Sequence, residues 1–155
     1  MKFGLLYNTD YHAESHGPPA EYYAHLLDQI VLAEKLGYHS AWFGVRLRAV
    51  PAGNSHCSAY SCGAPAVLAM AAAGRTNRIR LGTGVSLLPI HNPIRLAEEY
   101  ATLDVLSGGR LEYGVGRGFL RYALDLFGVD EDERHDRYPE AMEILLRAWT
   151  AGGPF

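Results

Sequence analysis

Residues 110–120 read RLEYGVGRGFL. Leu111, Tyr113 and Val115 alternate with their neighbours, which predicts a strand. The run stops among Gly114, Gly116 and Gly118, with Arg117 between the last two. Two readings follow. Either a strand ends here and presents Arg117 to a ligand, or a flexible turn carries a solvated charge.

The flanking segments favour a strand. Upstream, HNPIRLAEEYATLDVLSGG predicts a helix with Asn92 as its cap and Pro93 at its first position. Ser107-Gly108-Gly109 is its stop. Before that helix, IRLGTGVSLL predicts a strand that begins at Ile79, and APAVLAMAAAG predicts a helix with Pro65 in its first turn and Gly74 at its end. Nearer the start, Lys2 to Asn8 alternates around Phe3, Leu5 and Tyr7. Ala20 to Leu36 places Tyr23, Leu26, Leu27, Ile30 and Ala33 on one helical face. Gly37 stands where a left-handed cap belongs, and Ser40 to Phe43 predicts a second strand. Downstream of the quoted stretch, a helix is predicted to open at Asp130 with Glu133 completing a capping box. Its apolar stripe is Tyr138, Met142, Leu145, Leu146 and Trp149. The stretch from Gly44 to Gly63 shows no period.

Strand and helix thus alternate about four times, which implies an α/β fold with parallel strands joined by helical crossovers. An open doubly wound sheet and the start of a (β/α)8 barrel both fit. A whole barrel takes roughly 250 residues, so 155 residues are too few for one and could hold its first half; a single domain, 1–155, is expected. A half-barrel exposes strand edges on both sides.

Composition narrows the partners. A net charge of −3 gives no support for nucleic-acid binding, which shows as a basic face. No apolar run is long enough to span a bilayer and no leader is evident, so no membrane partner is expected. Two cysteines, Cys57 and Cys62, in an otherwise cysteine-free chain fit a reducing cytoplasm.

In either parallel architecture ligands bind at the carboxyl ends of the strands. That rule selects Tyr7-Asn8, Phe43-Gly44, Thr83 to Ser86, and Gly116-Arg117-Gly118. Glycines allow a ligand close to the backbone, and an arginine pairs two nitrogens with a phosphate or carboxylate. The dinucleotide reading of Gly114-x-Gly116-x-Gly118 is weak, because Phe119 stands where the third glycine belongs.

Residues 78–119, RIRLGTGVSLLPIHNPIRLAEEYATLDVLSGGRLEYGVGRGF, followed by FGVDEDERHDRYPEAMEILLRAWT at 127–150, resemble the luciferase-like monooxygenase family. The resemblance runs from Lys2 to Trp149. It implies a (β/α)8 barrel in which FMN, or alternatively the deazaflavin F420, lies across the strand carboxyl ends. It also implies that Arg117 binds the cofactor phosphate. Gly84 and Val85 match the end of the third strand, where members often carry a non-proline cis peptide beneath the isoalloxazine ring. His91, in LPIHNP, matches a loop where related sequences often have a histidine; a plain polar loop residue is the alternative. The implied activity is oxidation of a small organic substrate with oxygen and reduced flavin. The implied assembly is a homodimer through the helices at 64–73 and 93–106.

Two departures accompany these matches. After the second strand the family commonly reads W-F-x-E-H-H-F, whereas this chain reads WFGVRLR, with Val45, Arg46, Leu47 and Arg48 in those places. Valine and leucine carry no proton, and a guanidinium keeps its own. No catalytic residue is therefore assigned. The chain is also short for the family, so a truncated chain is expected. The alternative function is a non-catalytic half-barrel that serves as a scaffold or a weak flavin-phosphate binder. His12 with His16, and His56 beside Cys57, lack the ligand spacing of a zinc site, so no metal is expected. DEDERHD is read as helix capping.

Overall fold

The computed structural model describes residues 1–9, 11–44 and 64–153. The expectations attached to Val45, Arg46, Leu47, Arg48, His56, Cys57 and Cys62 lie outside the described residues.

The elements run β1 (Gly4–Tyr7), α1 (Ala13–His16), α2 (Pro19–Lys35), β2 (Ser40–Gly44), α3 (Pro65–Ala73), β3 (Arg80–Gly84), β4 (Ser86–Leu87), α4 (Pro93–Ser107), β5 (Leu111–Glu112), β6 (Val115–Gly116), α5 (Arg121–Leu126) and α6 (Glu133–Thr150). One sheet has the order β1-β2-β3-β5, every pair parallel. A doubly wound sheet reverses its strand order at a switch point. This sheet does not, so its order is that of successive barrel strands.

The helix signals act where expected. Asn92 Oδ1 accepts from the amides of Ile94 (3.0 Å) and Arg95 (3.2 Å). Gly37 takes a φ of 84°, and beyond it the Tyr38 amide bonds the Ala33 carbonyl at 3.0 Å, which closes α2. The buried stripe of α2 is Leu26, Ile30 and Ala33. These residues share one core with Ala41, Phe43 and Leu81 of the sheet, Leu68, Ala69 and Ala72 of α3, Tyr100 and Leu103 of α4, and Leu145 of α6. The opposite face of the sheet carries Leu6, Trp42, Gly82 and Glu112 in one register row. There Leu6 is 62% exposed, and the Trp42 ring lies where a Cβ on Gly82 would stand.

Three expectations need correction. α6 opens at Glu133, not Asp130, and Asp132 at its cap makes no side-chain cap bond. The carboxylates there are taken up by arginines instead, Glu131 by Arg134 at 3.3 Å and Glu133 by Arg137 at 2.8 Å. The two short helices α1 and α5 were not expected, being too brief to show a period. Finally, the strands drawn from Ile79 and from Arg110 to Val115 are each broken in two. The first ladder ends at Gly82↔Glu112, and the second starts at Ser86↔Val115. The register shifts by one, so the third strand carries one more residue than its neighbour, as in a bulge.

The amino end of the sheet is fixed by two side chains. Arg110 is 9% exposed. Its guanidinium donates to the carbonyls of Ser107 (2.6 Å), Ala73 (3.1 Å), Thr76 (3.1 Å) and Ile79 (3.1 Å) and to the Thr76 hydroxyl (2.9 Å). The Glu34 carboxylate accepts from the amides of Asn77, Arg78 and Ile79. Desolvation works to raise its pKa, but these bonds and the Arg78 charge prevail and hold it below its usual value.

Bonds to a charged donor contribute about 1.5–3 kcal/mol each, and stranded acceptors cost more. Arg110→Met should therefore lower stability by at least about 3 kcal/mol in urea unfolding at an unchanged slope. Arg110→Lys should recover only part of that, since an ammonium cannot reproduce the planar fork. A methionine variant as stable as the parent would show that these bonds are dispensable.

Candidate functional site

The carboxyl end of the sheet is built around a break in its third strand. The peptide between Gly84 and Val85 is cis, as the family resemblance implies. Val85 stands at that end, 36% exposed. Gly84 comes close to β1, since a Cβ on it would lie 3.4 Å from Leu6 Cδ1.

The quoted glycines explain how the neighbouring strand accommodates this break. A Cβ on Gly114 would fall 2.1 Å from the Thr83 carbonyl oxygen, and one on Gly116 would fall 2.7 Å from Val85 Cγ2. No side chain fits at either place. The Thr83 hydroxyl donates to the Gly114 carbonyl at 2.9 Å and accepts from the Gly114 amide at 3.1 Å. The Ser86 amide donates to the same carbonyl at 2.8 Å.

Arg117 follows directly. Leu87 and Gly116 are register partners, so Arg117 leaves the sheet one residue beyond that pair. Its guanidinium approaches Nδ1 of His135, on α6, at 3.2 Å. Arg134, next to His135, donates to the Gly118 carbonyl at 3.1 Å and pairs with Glu131. Its Nε is buried and has no hydrogen-bond partner among the described residues. Two guanidiniums and an imidazole thus converge on the segment after β6. Neither His135 nor Arg134 was singled out from the sequence, where DEDERHD was read for its carboxylates. The signal was the two basic residues inside that acidic run.

His91 sits in different surroundings. It lines a cavity of about 1110 Å³ with Ser86, Met70, Glu99 and Tyr100, on the helix side of the sheet. Its ring is 6.0 Å from that of Phe127. Burial lowers its pKa against the opposing pull of Glu99 and so favours the uncharged ring. At the same level the Ser86 and Tyr100 hydroxyls pair at 2.9 Å, and the Tyr100 and Tyr113 rings lie 4.1 Å apart. Burial pushes the Tyr113 phenol up, with Ser86 opposing. His12 and His16 are joined by a local bond, in which the His12 amide donates to Nδ1 of His16 at 2.8 Å.

Comparison with known proteins shows which family the chain belongs to. The family model described as luciferase-like monooxygenase matches residues 1–155. The chain belongs to that family. It is 37% identical over 147 residues to the uncharacterized protein y4vJ of Sinorhizobium fredii, covering 94% of this chain and 38% of that protein. Among solved structures it is similar to the monooxygenase RslO1 from Streptomyces bottropensis, with a TM-score of 0.82 and 32% identity over 96% of this chain and 43% of that one. Two more distant structures share the fold. The oxygenating constituent of 3,6-diketocamphane monooxygenase from Pseudomonas putida, in complex with FMN, has a TM-score of 0.82 at 23% identity, covering 100% of this chain and 41% of that one. An F420-dependent secondary alcohol dehydrogenase has a TM-score of 0.77 at 22% identity, covering 99% and 43%. The chain therefore spans about two fifths of the length of the relatives it matches, and its fold is part of a barrel. Among the described residues no helix is long and apolar enough to cross a membrane.

The glycine contacts give a direct check. Gly114→Ala forces a Cβ against main chain and should cost about 1–3 kcal/mol. Gly152→Ala, which meets open space, should leave the urea midpoint unchanged. Equal midpoints for the two variants would refute the close approach of strands three and four.

Proposed function

We propose that the chain forms the phosphate- and ring-binding half of a flavin-dependent monooxygenase that oxidises a small organic substrate, with FMN as cofactor and F420 as the alternative. The observation that carries this reading is the grouping at the carboxyl end of the sheet of Arg117, His135 and Arg134, whose Nε has no partner among the described residues. A phosphate fits that donor set, because it accepts charge-assisted bonds from several nitrogens at once. Both cofactors offer a phosphate, so the grouping suits either. In this reading Arg117 holds the phosphate, His135 orients the guanidinium, and Gly84 and Val85 support the planar ring. When bound, a reduced flavin supplies the electrons for oxygen chemistry, and the protein orients it and excludes water. His91, on the helix side, is assigned to packing behind the site.

A second reading keeps the phosphate site without turnover. The residues Val45 to Arg48, where the family commonly has histidines, favour it. In that case the chain is a scaffold or a weak flavin binder.

A homodimer in a reducing cytoplasm completes the proposal. Every residue of α3 is apolar, and a helix apolar all round is ordinarily covered. Val67 on it is 71% exposed. A two-fold contact uses one patch on both subunits, so Val67→Asp should convert a dimer to a monomer in light scattering. A parent chain that is monomeric and folded at high micromolar concentration would remove this part.

Titration with two flavins tests the phosphate site. A charged hydrogen bond contributes on the order of 1.5–3 kcal/mol, so Arg117→Ala should weaken FMN binding about ten- to a hundredfold. Riboflavin, which lacks the phosphate, should bind the variant nearly as it binds the parent. Equal losses for both flavins would make Arg117 a fold residue.

A further inference from the structure

We propose that Thr83 is a positioning residue: acting through Gly114, it sets where the Val85 side chain stands and so how well a planar ring is held there. This rests on the flavin reading above. The Thr83 side chain is fully buried, and its hydroxyl makes both of its bonds to one residue, donating to the Gly114 carbonyl and accepting from the Gly114 amide. The Gly114 carbonyl also receives the amide of Ser86 at 2.8 Å. Gly84 and Val85 are therefore bracketed by residues fastened to the same glycine of the next strand. On the far side the Ser86 hydroxyl is held by Tyr100 at 2.9 Å. Gly116 closes the remaining side, with no space between it and Val85 Cγ2 for a side chain.

The bracket replaces the ladder that is missing here. Regular pairing between the third and fourth strands stops at Gly82↔Glu112 and resumes at Ser86↔Val115. Across that gap the threonine hydroxyl supplies what the strand backbone cannot. Valine has nearly the same shape as threonine and lacks the hydroxyl, so it removes both bonds and leaves the packing. Serine keeps the hydroxyl. Gly116→Ala disturbs Val85 independently, by pushing on its Cγ2.

The experiment uses the intact 155-residue chain and two readouts. In the flavin-free protein, the nuclear Overhauser contact between the Val85 methyls and the Gly116 α-protons should be strong in the parent and in Thr83→Ser, and weak in Thr83→Val. In titrations followed by flavin fluorescence, Thr83→Val should weaken riboflavin and FMN by the same factor, about five- to 150-fold for two neutral hydrogen bonds. Thr83→Ser should bind within about twofold of the parent on the same scale. Gly116→Ala should show the equal loss seen in Thr83→Val. That pattern separates a ring platform from a phosphate anchor, because Arg117→Ala spares riboflavin. An unchanged Val85–Gly116 contact in Thr83→Val overturns the proposal. So does unchanged flavin binding, a loss confined to FMN, or a failure of serine to restore binding in a protein that melts like the parent. If the parent binds neither flavin yet the Val85 contact depends on the hydroxyl, the flavin reading fails and the positioning of Val85 stands.

Discussion

A guanidinium buried among main-chain oxygens holds the amino end of this sheet together. Arg110 joins the end of α3, the turn at Thr76, the strand start at Ile79 and the end of α4. Each of those carbonyls lies where a helix or turn has run out of its own donors. A buried unpaired carbonyl is costly, and one planar side chain with five N–H groups meets the need of several at once. The complementary need is met by Glu34, whose carboxylate takes the amides of Asn77 to Ile79 just before β3. Donors and acceptors of the same turn are thus satisfied by two charged side chains of opposite sign. Burial lowers the pKa of Arg110, and the Glu34 charge opposes that shift. These bonds fix the turn from which β3 starts in register with β2 and β5.

Much of this fold is legible in the sequence because its local signals agree with one another. Asn92-Pro93, Gly37 and the stripe Leu26-Ile30-Ala33 each act through a few neighbouring residues, and each appears in the structure where the sequence puts it. Helical crossovers between parallel strands leave few topologies, and the family resemblance selects the sequential strand order among them. The broken strands are not legible. A run such as LGTGV alternates across the break, and the period does not record that a register shift intervenes. The cap of α6 fails for a related reason. Asp130 and Glu133 have the spacing expected of a capping box, but Glu133 pairs with Arg137 and the neighbouring Glu131 with Arg134.

The site is legible in part. Arg117 follows from its place after a strand, and Gly84 with Val85 follow from the family pattern. What pattern reading omits is the partner of each. His135 and Arg134 sit in an acidic run and come to Arg117 only because α6 starts beside Gly118. Thr83 is hidden by its ordinariness, since a threonine in a strand is common and only the gap beside it shows why its hydroxyl counts. His91 illustrates the opposite case. Its position in a loop at the strand ends places it near the ligand face by rule, yet its ring turns toward α4 and Phe127.

The seam between the third and fourth strands shows how these features belong to one design. Only two residue pairs, Leu81↔Leu111 and Gly82↔Glu112, join β3 to β5. A ladder that short does not hold two strands in register unaided. Side chains take over on every side of it. Arg110 locks the amino end, the Arg80–Glu112 ion pair spans the open face, and Thr83 bridges the carboxyl end. The backbone at the carboxyl end is thereby released from regular pairing without being released from position. A strand committed to its ladder could not turn Val85 out toward solvent, and a free loop could not hold it there. The backbone at the carboxyl end is therefore held by side-chain bonds, which a few substitutions can tune. The amino end, with its buried charge and stranded carbonyls, has no such freedom.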